Sequence, residues 1–192
     1  MTAPTAPVMG GSIVRRFDAT LEIEGDGRSI IGRCCPYDVI ADVEDGGALY
    51  REVIRRGAFR KVAKAPNRVP LNFEHRTDLG SEIGRAVELE EREDGLYGTF
   101  RAHDSMLGEH GLSIIRSGAV RGLSIAAVLH PAGSRLVDGV VERRLLLLDH
   151  VAVTSSPSYP GAEVTTIRSG EARRGIAETL ATQARLRARS PR

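Results

Sequence analysis

Short apolar runs separated by Asp-Gly turns fill most of the chain. The turns lie at residues 24–27, 93–95 and 137–140, and each has apolar-rich sequence on both sides. Asp and Gly tolerate the positive φ angles that tight hairpin turns require. The pattern therefore predicts antiparallel hairpins, which pair residues 16–24 with 28–35, 83–91 with 95–102, and 123–130 with 140–153.

Two stretches interrupt this β pattern. Residues 56–63 predict a short helix that ends before Pro66, and residues 104–118 predict a helix that follows the N-cap-like pair Asp104-Ser105. A protein with many short strands must close or cover its sheet edges. We therefore expect a mostly β (α+β) fold, in which an antiparallel β-barrel, closed or partly closed, is flanked by a few helices.

The length of 192 residues suits one folded domain with a sizeable core. Residues 1–12 are mainly Pro, Gly, Ala and Thr, and predict a flexible N-terminal arm. Residues 168–192 carry many arginines and predict a C-terminal tail. The folded domain is accordingly expected over residues 13–167.

Charge and composition exclude several classes of function. Lys and Arg number 27 against 25 Asp and Glu, and this net charge of +2 does not indicate a specific nucleic-acid binder. No glycine-rich phosphate motif occurs, and His103 and His110 alone are too few for a zinc site, so we expect no cofactor and no metal. No apolar run reaches the roughly 18 residues that span a bilayer. The adjacent pair Cys34-Cys35 fits neither a metal motif nor a disulfide framework, which favours a reducing cytoplasm.

Ser124 lies in the apolar run V-R-G-L-S-I-A-A-V, which is predicted to be a buried strand. On a strand, Leu123, Ile125 and Ala127 would share one face, and Ser124 would share the other with Ala126 and Val128. Small neighbours leave space above the hydroxyl, as a nucleophile requires. The alternative is a structural serine that donates a hydrogen bond to a backbone carbonyl.

A serine nucleophile needs a base and a group that orients the base. His75 lies at the end of an alternating strand and is the candidate base. Asp149 and His150 lie in the apolar strand L-L-L-L-D-H-V-A-V, where a buried imidazole needs a hydrogen-bond partner. Because adjacent strand residues face opposite ways, we expect only one of the two to point at the site, and we favour His150 over Asp149.

The motifs F-E-H, G-L-S-I-A and D-H-V-A-V-T-S-S-P-S-Y-P-G-A resemble the signature blocks of the HK97-type prohead maturation serine proteases of tailed phages. The resemblance runs over residues 13–167, and the family is related in fold to the herpesvirus maturation proteases. It implies that Ser124 is the nucleophile and His75 the base. Many phage members have a glutamate where this chain has His150, whereas the herpesvirus relatives have a histidine followed, as here, by Val and Ala.

This resemblance implies a serine endopeptidase that cleaves the scaffolding region of the major capsid protein inside the immature prohead, in the host cytoplasm. Autoproteolysis of its own ends is expected as well. The loop after His150 would supply the oxyanion hole, with Ser158 and Tyr159 as candidate donors. Two alternatives remain: a non-catalytic capsid-assembly or scaffold protein with a degenerate protease fold, and an esterase or amidase of small substrates. A homo-oligomer remains open, whereas membrane and specific nucleic-acid partners are not expected.

Overall fold

The computed structural model describes residues 11–18, 21–45, 48–78, 80–120, 122–130 and 132–155. The described residues form mainly β-strands. The strands are β1 Ser12–Asp18, β2 Leu21–Glu24, β3 Ser29–Pro36, β4 Ile40–Asp45, β5 Ala48–Ile54, β6 Pro70–Phe73, β7 Glu82–Glu91, β8 Gly95–Ala102, β9 Gly122–Leu129, β10 Ser134–Val137, β11 Val140–Arg143 and β12 Leu146–Thr154. The α-helix α1 spans Met106–Ser117, and no helix in the described ranges is long and apolar enough to cross a bilayer.

The strands form two sheets. The larger sheet has the order β1-β9-β12-β6-β7-β8-β3-β2 and curls into a half-barrel, and the smaller sheet has the order β10-β11-β5-β4. Most neighbouring strands are antiparallel, but β12 pairs with β6, and β11 with β5, in parallel. The expected mostly β fold is confirmed.

Two of the predicted hairpins form where the Asp-Gly turns indicated. β7 pairs with β8 around residues 93–94, and β2 pairs with β3 around residues 25–28. The first hairpin was predicted too long, however. Residues 16–18 belong to β1, which lies beside β9 and makes no pair with β3. The separate strand β1 is therefore free to form the edge of the sheet next to Ser124.

The prediction for the turn at residues 137–140 was wrong. That turn joins β10 to β11 in the smaller sheet, instead of joining the strand of Ser124 to that of His150. The predicted strand over 140–153 is interrupted at Arg144 and Leu145, whose backbone N–H groups both donate to the carbonyl of Gly133. The chain there leaves the smaller sheet and enters the larger one as β12. β9 and β12 are nevertheless antiparallel neighbours, as expected.

The predicted helix over 104–118 is confirmed as α1. Ser105 is its N-cap and accepts a hydrogen bond from the Gly108 backbone N–H at 3.1 Å, and Gly118 ends it in the left-handed conformation with φ of 72°. The predicted helix over 56–63 was wrong. Those residues form turns that lead into 3₁₀ helices at Val62–Lys64 and Pro66–Arg68.

The core lies inside the half-barrel and consists of aliphatic and aromatic side chains from both sheets and from α1. Leu123 and Ile125 of β9 are fully buried in it. Cys34 and Cys35 are also buried there as free thiols, and burial raises the pKa of both. Because Leu123 and Ile125 occupy the core face of β9, Ser124 faces away from the core.

Candidate active site

Ser124 lies in a row of four residues that are in register across neighbouring strands. Arg16 of β1 is opposite Ser124 of β9, which is opposite Ala152 of β12, which in turn is opposite Asn72 of β6. Residues in register on adjacent strands share a face of the sheet. We call these four residues the Ser124 row. Ala152 carries only a methyl group, so a side chain from beyond β12 can reach Ser124 over it.

His75 reaches Ser124 in this way. It follows β6 in a turn where Glu74 and His75 adopt φ angles of 44° and 60°, which non-glycine residues rarely adopt. The turn directs the ring back across β12, and Nε2 of His75 lies in hydrogen-bond contact with Oγ of Ser124. The strained backbone thus brings together side chains from strands that are not adjacent.

Glu74 holds this turn against the end of β12. Its backbone N–H donates to the Val153 carbonyl at 3.1 Å. Its carboxylate accepts hydrogen bonds from Thr154 Oγ1 at 3.0 Å, the Ser155 backbone N–H at 2.8 Å and Ser155 Oγ at 3.0 Å. Partial burial raises the pKa of Glu74, but these hydrogen bonds and the charge of Arg16 outweigh it and leave the pKa below its usual value.

His150 lies on the far side of the His75 ring. Its Nε2 is 2.8 Å from Nδ1 of His75, and the two rings are tilted by 58° with centroids 5.0 Å apart. His150 is opposite Ala126 on β9 and therefore shares the face of Ser124. The side chain is 7% exposed, so the contact with His75 is largely shielded from water.

Asp149 also joins the site, against the expectation that only one of Asp149 and His150 could. Its Oδ2 is 2.8 Å from Nδ1 of His150. The pairing of β12 with β9 shifts register between Leu148 and His150, so Asp149 is the extra residue of a β-bulge. A bulge breaks the strict alternation of faces, which is why neighbouring residues can both serve the same site. Asp149 thus lies beyond His150 in the series of contacts that starts at Ser124, and it does not take the place of His150 beside His75.

The hydrogen-bonding capacities of these groups determine how protons are arranged. The carboxylate of Asp149 can only accept, so Nδ1 of a neutral His150 carries the hydrogen and Nε2 is the acceptor. Nδ1 of His75 must then donate to His150. Nε2 of His75 is left with a lone pair that faces the Ser124 hydroxyl, which is the arrangement of a general base.

The surroundings of His75 keep its ring neutral. Burial, with smaller contributions from the nearby His150 and Arg16, lowers its pKa to about 4 against an opposing contribution from Glu74. At neutral pH the ring can therefore accept a proton from Ser124.

Ser124 also makes the contact that the structural alternative predicted. Its Oγ donates to the carbonyl of Arg15 at 2.9 Å, and the side chain is completely buried. A hydroxyl has one proton, so the Arg15 carbonyl and Nε2 of His75 compete for it. The structure therefore contains both the contact expected of a nucleophile, with His75, and the contact expected of a structural serine, with the Arg15 carbonyl.

Arg15 is itself fixed by a buried ionic cluster between the sheets. Its guanidinium pairs with Glu52 at 2.7 Å and with Asp45 at 2.7 Å. Arg143 binds the other carboxylate oxygen of Glu52 at 2.7 Å and the Tyr50 hydroxyl at 3.0 Å. The cluster attaches β1 to the smaller sheet and so fixes the carbonyl that Ser124 contacts.

The remaining predicted residues lie elsewhere. Ser158 and Tyr159 fall outside the described residues. His103 bonds Glu82 at 2.8 Å, and His110 packs against the ring of Phe73. Within the described ranges, no group of three or more His, Cys, Asp or Glu side chains is arranged to hold a metal ion.

Sequence reasoning missed Arg16, Asn72 and Glu74. Glu74 lies inside the motif F-E-H, and its left-handed turn has no signal in the residue types. Asn72 is the single polar residue of an otherwise apolar strand, as Ser124 is, whereas Arg16 shares its strand with other polar residues. The pattern at Asn72 was an available signal, but the alignment of both residues with Ser124 depends on pairings between strands far apart in sequence.

Comparisons with known proteins identify the family and the fold of this chain. The sequence profile of the caudovirus prohead serine proteases matches residues 19–175. No curated protein matches the chain in sequence. Among solved structures, the bacteriophage T4 capsid assembly protease, gp21, is similar with a TM-score of 0.55 at 14% identity, over 77% of this chain and 99% of that one. At that identity the similarity concerns the fold. The resemblance indicated by the three sequence motifs is therefore confirmed, and the chain belongs to the caudovirus prohead serine protease family.

Proposed function

We propose that this chain is a serine endopeptidase in which Ser124 is the nucleophile and His75 the general base. His150 orients His75, and Asp149 fixes the tautomer of His150. The observation that carries the proposal is the unbroken series of contacts from Ser124 Oγ through both imidazoles to Asp149. A serine with a purely structural role would need no partner other than the Arg15 carbonyl, so the contacts with the imidazoles would have no explanation.

The proposed reaction begins with attack of Oγ on a peptide carbonyl. The Oγ–C bond forms, the carbonyl π electrons move onto oxygen, and the hydroxyl proton passes to Nε2 of His75. When the intermediate collapses, the C–N bond breaks and the same proton goes to the leaving amine. Water then attacks the acyl carbon while Nε2 of His75 takes its proton, the Oγ–C bond breaks, and that proton returns to Oγ of Ser124.

A slow turnover is expected for two reasons. A neutral His150 stabilises the imidazolium of His75 less than a carboxylate in direct contact would. Ser124 is also completely buried, so a substrate carbonyl reaches Oγ only when the side chains around it move. Slow chemistry suits an enzyme that makes a few cuts in each capsid subunit.

The proposed substrate is the scaffolding region of the major capsid protein, which is the partner inside the immature prohead in the host cytoplasm. Membership of the prohead protease family supports this choice. The solved relative from bacteriophage T4 is described as a capsid assembly protease, which supports it further. The protease's own ends, residues 1–12 and 168–192, are proposed as additional cleavage sites.

The test is coexpression of the full chain with the major capsid protein of the same phage. Three forms are compared: wild type, Ser124→Ala and Ser113→Ala, the last of which changes an exposed serine of α1. We expect shortened capsid protein with wild type and Ser113→Ala, and intact capsid protein with Ser124→Ala. Mass spectrometry of both proteins locates the cut sites.

Three outcomes would contradict the proposal in whole or in part. Equal and negligible processing by wild type and Ser124→Ala would favour a scaffold protein with a degenerate protease fold. Ser124-dependent hydrolysis of chromogenic esters, without any cleavage of capsid protein, would favour a small-substrate esterase. Shortening of the chain itself that persists in Ser124→Ala would exclude autoproteolysis.

A further inference from the structure

The Ser124 row contains two buried polar atoms that lack partners. Within the described part of the chain, the buried side-chain polar atoms without a hydrogen bond are Nε of Arg16 and Oδ1 of Asn72. Buried polar groups are nearly always paired, so each exception needs an explanation. These two exceptions share a single row with Ser124, one on each side of it.

The atoms are also complementary in kind. Nε of Arg16 is a hydrogen-bond donor on a permanently charged group, and Oδ1 of Asn72 is an acceptor. Since neighbouring strands are about 4.8 Å apart, Arg16 lies one strand from Ser124 and Asn72 lies about 10 Å away on the other side. A peptide offers a carbonyl oxygen, which can accept a hydrogen bond from Nε of Arg16, and an N–H, which can donate to Oδ1 of Asn72.

The position of His75 assigns a direction to such a peptide. The ring approaches Ser124 from the β12 and β6 side, so the leaving amine, which takes its proton from His75, must lie on that side. Arg16 lies on the opposite flank of Ser124. Arg16 is opposite Ser124 in register, and its charge contributes to the lowered pKa of His75.

We propose that Arg16 and Asn72 bind the substrate peptide on either side of Ser124. Arg16 donates to the carbonyl oxygen of the bond being cleaved, and Asn72 accepts an N–H from the leaving-group side. This inference rests on the proposed protease function and adds substrate-contacting residues to it. Arg16 also lies outside residues 19–175, the part of the chain that the family profile matches.

In the proposed reaction, Arg16 acts on charge that develops during attack. As the Oγ–C bond forms, the carbonyl electron pair moves onto the oxygen, and the guanidinium faces that negative charge. When the C–N bond breaks, the pair returns to form the carbonyl again, so Arg16 neither gains nor loses a proton. Asn72 only holds the segment on the far side of the bond, and its contact is the same before and during attack.

The difference between these roles defines the test. A fluorophosphonate probe forms an Oγ–P bond at an active serine and releases fluoride. Its phosphoryl oxygen becomes negative in the transition state, as a peptide carbonyl oxygen does, but its leaving group has no N–H. Cleavage of the capsid scaffolding region uses both features. We compare the second-order rate of probe labelling with the initial rate of scaffold cleavage for wild type, Arg16→Gln, Arg16→Lys, Asn72→Leu and Arg101→Gln.

The expected pattern separates the residues. Arg16→Gln should lower both rates by about 10²- to 10³-fold, the effect of removing one donor from an oxyanion site. Arg16→Lys keeps the charge but loses the planar fork, so its losses should be smaller. Asn72→Leu should lower scaffold cleavage by about tenfold, from loss of one hydrogen bond, and leave probe labelling unchanged. Arg101→Gln, which changes an exposed arginine of β8, should leave both rates unchanged.

Each contrary result has a distinct meaning. If wild type is neither labelled at Ser124 nor active on scaffold, the protease function itself fails. If wild type reacts and Arg16→Gln labels equally fast, the role of Arg16 in the reaction is wrong, and a loss confined to scaffold cleavage would assign Arg16 to substrate binding alone. If Asn72→Leu slows probe labelling, Asn72 supports the site structurally. Should Arg16→Gln fail to fold by circular dichroism, Arg16→Lys decides, and a wild-type labelling rate for that variant overturns the proposal.

Discussion

Replacement of Asp149 by alanine tests whether the acid acts through His150. In the structure, Asp149 contacts Nδ1 of His150 and lies beyond it as seen from Ser124. Without the carboxylate, Nδ1 of His150 no longer has a fixed hydrogen. Some molecules then carry the hydrogen on Nε2, where it faces Nδ1 of His75 and leaves His75 in the wrong tautomer for a base.

The size of the effect follows from exposure. A hydrogen bond to a charged group contributes about 1.5–3 kcal/mol when it is buried. The Asp149 side chain is 63% exposed, so water and salt reduce the contribution towards that of surface pairs, which is about 0.2–1 kcal/mol. We take the upper end, about 1 kcal/mol, which corresponds to about a fivefold lower rate. His150→Ala removes the direct contact with His75 and should approach the roughly 10⁴-fold loss known from spoiling the third member of a chymotrypsin-type triad.

The assay is the rate of fluorophosphonate labelling for Asp149→Ala, His150→Ala and the double variant. Asp42→Ala, which changes an exposed aspartate of β4, serves as the control. Because the acid acts through His150, adding Asp149→Ala to His150→Ala should cause no further loss. A fivefold loss that persists in the His150→Ala background would refute the relay, whereas a loss for Asp149→Ala as large as that for His150→Ala would contradict the magnitude derived from exposure.

Four further predictions concern pH, the N-terminal strand and the thiols. The acid limb of labelling should lie near pH 4, because His75 has a pKa of about 4 instead of 6.5, and a limb near pH 6.5 would contradict the burial of that ring. The same shift should reduce stability to denaturant as the pH falls from 6.5 towards 4, where the unfolded chain binds a proton that the folded chain excludes. Deletion of residues 1–18 should abolish labelling because it removes β1, whereas deletion of 1–10 should not, and equal labelling of both forms would be inconsistent with a role for that strand. Cys34 and Cys35 should resist iodoacetamide in the folded protein and react after unfolding, as mass spectrometry can show, because burial raises the pKa of both.

The sequence was most informative where structure is local. The turn at 93–95 and the cap at Ser105 act within a few residues, and both formed as expected. The turn at 137–140 also formed, but it joined two strands of the smaller sheet. Alternating or continuous apolar runs show that a strand exists without showing its partner. The pairings of β1 with β9 and of β12 with β6 join distant segments, and no local signal specifies them.

The same difference between local signals and long-range pairing applies to the candidate active site. Ser124, His75 and His150 were candidates because polar side chains in apolar strands need a partner or a function. The family resemblance then assigned a role to each of them. The expectation that Asp149 and His150 exclude each other failed, because it assumed a regular strand and β12 has a bulge at Asp149. A bulge depends on how two strands fit together, so it is not visible in either strand alone.

Several irregular features of this molecule meet around Ser124, although bulges also occur between β3 and β8 and between β7 and β8. Two consecutive left-handed residues, Glu74 and His75, follow β6, a bulge at Asp149 immediately precedes His150, and two unpaired buried polar atoms flank Ser124. Each left-handed residue costs about 1–3 kcal/mol, and each unpaired buried atom costs about 1–3 kcal/mol. A sheet selected for stability alone would have regular strands and apolar residues at these positions. Since the core can offset such costs anywhere, their coincidence around a single hydroxyl is best explained by the reaction proposed for that hydroxyl.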